Sequence, residues 1–109
     1  MEPRGVRLLV PEVNFTVAGN AVTTFVAGGK RCGIWLRNHD DTAYSVWILV
    51  RKTGSTAPVA GEITNTTVPF KMLPGEEREF LLEESCTFYM KSSSAGASTA
   101  SMTRQEFNV

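Results

Sequence analysis

Apolar and polar side chains alternate along much of this chain with a period of two, in short runs divided by turn-forming residues. Successive side chains of an extended strand point to opposite faces, so this pattern predicts half-buried β-strands. Candidate strands fall at residues 6–10, 13–17, 21–26, 31–37, 44–51, 68–72, 78–82 and 86–92, with a last one near 98–104. Between them stand Ala18-Gly19-Asn20, Gly28-Gly29, Asn38-His39-Asp40-Asp41, Leu73-Pro74-Gly75 and Ser94-Ala95-Gly96. These residues preset a turn or accept positive φ. No segment carries a helical period. Many short strands at such spacing predict one all-β domain over 1–109, an antiparallel β-sandwich of about eight short strands with jelly-roll or immunoglobulin-like connectivity. Residues 1–7 read as an N-terminal arm. The stretch 53–67, with Gly54, Pro58, Gly61 and many threonines, reads as a long loop. The small residues at 92–101 predict a hairpin turning at Ala95-Gly96.

The runs 31–37 and 44–51 are the most informative. Cys32, Ile34 and Leu36 form one aliphatic row, and Val46, Ile48 and Val50 form another. Paired as a hairpin, the two runs would set Trp35 opposite Trp47, Gly33 beside Leu49 and Arg31 beside Arg51 on the second face. Indoles flanked by arginines are the residue types that dominate protein interfaces. Trp35, Trp47, Arg31, Arg37, Arg51 and Lys52 are therefore the candidate partner-binding residues. The competing reading is a covered surface, with a second sheet or the 53–67 loop folded over both tryptophans.

Composition supports β structure: Val, Ile and Thr number 26 against 7 Leu, and β-branched side chains suit a pleated surface. Eleven basic residues balance eleven acidic ones, so no net field draws in nucleic acid or an anionic membrane, and neither is expected as a partner. Glu76, Glu77, Glu79, Glu83 and Glu84 hold much of the acid. Basic and acidic edges suggest that one copy attracts the next.

No phosphate-binding glycine loop, paired-histidine zinc pattern or nucleophile with a choice of bases is present, so neither catalysis nor a cofactor or metal is expected. His39, the single histidine, lies in a segment whose residue types turn chemistry already accounts for. The order Cys32, Trp47, Cys86 is similar in part to immunoglobulin spacing, but Glu84 stands where that family has tyrosine. No export signal is visible at Met1 and after it, so reduced thiols and unmodified sequons at Asn14 and Asn65 are expected.

Three segments carry a wider likeness: residues 32–38 running through a polar turn into Val46-Trp47-Ile48; Leu73-Pro74-Gly75-Glu76; and residues 87–94, closing with Ala100-Ser101-Met102-Thr103. In this order the chain resembles small β-sandwich virion proteins of tailed bacteriophages, especially capsid decoration (cement) proteins. The resemblance implies a non-enzymatic structural protein on the capsid surface, assembled in the host cytoplasm, that binds and stabilises the major capsid protein shell or joins other virion proteins. It also implies a homo-oligomer, trimer or dimer. A tail, baseplate or fibre-attachment domain is the neighbouring alternative. A glycan-binding module using Trp35, Trp47 and Tyr44 as a stacking platform is the alternative of another class.

Overall fold

The computed structural model describes residues 12–27, 31–39, 44–64, 68–93 and 98–108. Eight strands form in chain order: β1 (Val13–Ala18), β2 (Thr23–Ala27), β3 (Cys32–Asn38), β4 (Val46–Lys52), β5 (Phe70–Met72), β6 (Glu77–Leu82), β7 (Cys86–Ser92) and β8 (Thr99–Asn108). They match the periodic runs of the sequence closely. The expected strand at 6–10, the arm at 1–7 and the turns at 28–29, 40–41 and 95–96 lie outside the described residues.

Two four-stranded antiparallel sheets result, ordered β1-β8-β3-β6 and β2-β7-β4-β5. The pairings nest: β1 with β8, β2 with β7, β3 with β6 and β4 with β5. A long antiparallel ribbon rolled up on itself produces this order, so the connectivity is that of a jelly roll, one of the two alternatives left open by the sequence.

Nesting overturns both expected hairpins. β3 pairs with β6 and β8, whereas β4 pairs with β5 and β7. The aliphatic rows of β3 and β4 do face inward, but from opposite sheets. Alternation tells a strand which side to bury and is silent about its hydrogen-bonded neighbour. Residues 92–101 likewise lead from β7 in one sheet to β8 in the other, so they are no hairpin.

Phenylalanines knit the core. Phe15 meets Phe25 edge-on at 5.9 Å, Phe25 stacks on Phe88 at 4.8 Å, and Phe80 meets Phe88 at 5.3 Å and Phe70 at 5.0 Å. This chain of rings crosses repeatedly between the sheets, each contact adding on the order of 0.5–1.5 kcal/mol beyond simple burial. Around it Val17, Ile34, Leu36, Val46, Ile48, Met72, Met90 and Met102 are fully or almost fully buried. Guanidinium groups cover its margins, Arg104 lying 4.4 Å from the Phe25 ring centre and Arg78 5.9 Å from that of Phe70.

The end of β3 is tied down by a buried polar residue. Asn38, at zero exposure, donates through Nδ2 to the carbonyls of Tyr44 (2.9 Å) and Leu73 (3.3 Å). Its own carbonyl accepts from Gly75 N at 3.0 Å. The turn it grips has Pro74 followed by Gly75 at φ +79° and closes from Glu76 N to the Leu73 carbonyl. Positive φ at the third position is what calls for glycine there.

Candidate functional site

Since β3 and β4 belong to different sheets, their outward residues lie on opposite sides of the molecule. Trp35 and Trp47 are thus one on each outer face, and neither opposes the other. Two surfaces result, and they differ.

On the outer face of the β2-β7-β4-β5 sheet, Trp47 stands in register with Lys71 and Lys91, and Leu49 with Tyr89. Segment 53–64 lies over this face. Arg51 donates from Nη1 to the Thr56 carbonyl at 2.6 Å and reaches Glu62 at 3.8 Å. Lys91 Nζ donates to the Ala60 carbonyl at 3.3 Å. A single 3₁₀ turn, Ala60–Glu62, is closed by Val59 N donating to Glu62 Oε1 at 2.9 Å. Beyond it Ile63 is fully buried, as is most of Pro58, although neither belongs to the inter-sheet core. Tyr89 is only 7% exposed on this outer side, and the buried Trp47 Nε1 has no hydrogen-bond partner among the described residues. The loop roofs a second, smaller apolar layer. Trp47 is half-buried, as Trp35 is, so the covered reading holds for it only in part, at the enclosed Nε1.

The outer face of the β1-β8-β3-β6 sheet has no such roof among the described residues. Trp35, half-buried, is flanked by Glu79 on β6 and Gln105 on β8. Gly33 is flanked by Leu81 and Phe107. The Phe107 ring lies over Gly33, where a Cβ would come within 2.3 Å of it. A glycine at this point lets an aromatic ring lie flat on the sheet, leaving Phe107 only 6% exposed. Leu81 beside it is 58% exposed. Arg37 is exposed next to Glu77 and Thr103. Trp35, Leu81 and Arg37 make one contiguous amphipathic patch, and the sequence had singled out only Trp35 and Arg37. Leu81 was hidden because Phe80-Leu81-Leu82 is a continuous apolar block, from which periodicity alone selects no outward member.

The remaining candidate cations are engaged within the chain. Arg31 lies 3.3 Å from Glu83 and Lys52 3.5 Å from Glu84, while Arg51 serves the loop. Arg31 and Arg51 are in different sheets, so the repulsive pairing expected of a hairpin does not arise. Glu76 joins Arg78 at 3.0 Å and also accepts from Leu73 N at 2.7 Å. That backbone bond is the main cause that holds its carboxyl below the ordinary range, with Arg78 reinforcing it against partial burial. Exposed pairs of this type contribute at most about 1 kcal/mol each.

A polar contact that sequence reading missed joins His39, Thr103 and Asn14. Thr103 donates its hydroxyl to Asn14 Oδ1 at 2.6 Å, and His39 Nε2 contacts Thr103 Oγ1. With the hydroxyl proton directed to Asn14, the histidine is the donor in its own contact, the reverse of what activating a nucleophile requires. His39 N donates to the Ser101 carbonyl at 2.8 Å, so the group fastens the start of β8 to the end of β3. Among the described residues, no three His, Cys, Asp or Glu side chains gather in a metal-binding group. No protein-family profile, curated protein or solved structure gives a significant match to this chain.

Proposed function

We propose that this chain is a non-enzymatic virion structural protein, a jelly roll that decorates a tailed-phage capsid and stabilises the shell by docking on the major capsid protein. The reading rests on one observation: among the described residues no segment folds over Trp35, Leu81 and Arg37 on the β1-β8-β3-β6 face, where Leu81 is largely exposed, while segment 53–64 is held across part of the opposite face. A half-buried aromatic and a neighbouring exposed aliphatic side chain rimmed by charge suit a protein partner. Jelly rolls are frequent in viral capsid proteins, which is analogy at the level of fold and adds modest support. Copies seated on many equivalent shell positions, as dimers or trimers, would each contribute a modest interface and reinforce the shell together.

The test is co-sedimentation with assembled capsid shells, counting bound copies per particle. Saturation at copy numbers matching the shell lattice, abolished by Leu81→Glu with Trp35→Ala, is the expected result. A few copies at one vertex would instead indicate a tail, baseplate or fibre-attachment domain, and no sedimentation would overturn the virion reading. A second reading has its own support, since Trp35 is bracketed by Gln105 and Glu79, an arrangement in which a sugar ring stacks while its hydroxyls are hydrogen-bonded. Saturable quenching of Trp35 fluorescence by neutral oligosaccharides, lost on Gln105→Ala, would favour that glycan-binding module.

A further inference from the structure

The two cysteines lie on different sheets and both point into the core, Cys32 at the first position of β3 and Cys86 at the first position of β7. They also lie at the same end of the sandwich. Phe80 and Phe88 touch across the sheets at 5.3 Å. From Phe80, two steps along β6 lead to Leu82, which is the registered neighbour of Cys32. From Phe88, two steps back along β7 lead to Cys86. Residues 83–85 alone carry the chain from Leu82 in one sheet to Cys86 in the other. Ala27, the registered neighbour of Cys86, is a small side chain and 2% exposed. Both thiols are free.

We infer that Cys32 and Cys86 form a dithiol pair that closes into a disulfide between the two sheets when a low-molecular-weight disulfide reaches Cys86. Cys86 is the entry point because it is half-buried, while Cys32 is 4% exposed. Its thiolate attacks the small disulfide, forming a mixed disulfide and expelling one thiolate. The Cys32 thiolate then attacks Cys86 Sγ and expels the second. Two protein thiols are oxidised, one external disulfide is reduced to two thiols, and the two protons pass to the departing thiolates. Burial is the main cause that raises the Cys32 thiol above its ordinary range, with Glu106 and then Cys86 adding to it, and burial followed by Glu84 raises Cys86, so both thiols need alkaline pH to ionise. The bridge would close a loop of more than fifty residues, from 32 to 86, and a loop of that length restrains the unfolded chain strongly.

The experiment incubates the native protein with oxidised glutathione at mildly alkaline pH, where thiolates are populated. Expected are a mass loss of about 2 Da without retained glutathione, and a peptide linking Cys32 to Cys86 in a non-reducing digest. A rise in Tm of roughly 10 °C that dithiothreitol reverses should accompany them. A persistent glutathione adduct on Cys86 with Cys32 still reduced overturns the inference, as do disulfides between copies or two unreacted thiols. In Cys32→Ala the adduct on Cys86 should accumulate. In Cys86→Ala the buried Cys32 should resist modification, and equal labelling of Cys32 in that variant would refute the assigned order. None of these readings depends on capsid binding, so the two proposals fail separately.

Discussion

The two outer faces of this sandwich begin from the same ingredients, a strand carrying one tryptophan among aliphatics and cations, and arrive at different ends. On one, segment 53–64 supplies Pro58 and Ile63 and is held down through the carbonyls of Thr56 and Ala60, and Trp47 is half-buried with its Nε1 enclosed. On the other, Phe107 is the chain's own cover over Gly33, while Trp35 is half-buried and Leu81 stands in solvent. Burying apolar surface stabilises by about 25 cal/mol per Å², and the chain takes part of that gain on each side, through Pro58 and Ile63 on one and Phe107 on the other, leaving Val26 and Leu81 exposed. A tryptophan in a strand is therefore no guide to whether its role is cohesion or contact; what lies over it decides.

Truncating each indole tests the difference between the faces most directly. Trp47→Ala, which also removes what the 53–64 loop packs on, should cost about 2–3 kcal/mol in urea unfolding, whereas Trp35→Ala should cost about 1–2 kcal/mol. Equal losses would mean that the faces are alike. Ile63→Ala should cost about 2–3 kcal/mol and shift Trp47 emission to longer wavelength in a Trp35→Phe background; an unmoved spectrum would show that the loop is not the cover. Gly33→Val sharpens the other side. Its side chain must displace the Phe107 ring, at a cost of about 1–3 kcal/mol, and hydrophobic-dye binding should increase as that ring is expelled.

The smallest expected effect is pH-dependent and comes from Glu76. Its carboxyl is lowered in the folded chain, so its contribution is present above the ordinary carboxylate pKa and is lost as pH falls through the folded value. Glu76→Gln should flatten the acid limb of the stability curve while leaving the emission of both tryptophans unchanged.

Legibility in the sequence divides along the same physical line. Strand positions and inward rows were readable because period-two alternation is a local property, and the turn at Pro74-Gly75 because its backbone requires positive φ. Partners were not readable. Cys32-Ile34-Leu36 and Val46-Ile48 present the same inward row whether the strands pair edge to edge or face each other across a core, and two short strands joined by a polar turn suggested the simpler arrangement. For the candidate surface, Trp35 and Arg37 stood out by residue type, but the company of Leu81 and Phe107 follows only from register with β6 and β8. Arg31, Arg51 and Lys52 looked available because their partners Glu83, Glu62 and Glu84 are distant in sequence or belong to the loop.

Nested pairing also bears on how the molecule acquires its shape. Val13 must find Arg104, and Thr23 must find Met90, so most of the native hydrogen bonding joins residues remote along the chain. High contact order of this type slows folding toward the millisecond-to-second range. The 13–18 strand has to wait for 99–108 to emerge from the ribosome, and until then its edge is open to the wrong neighbour.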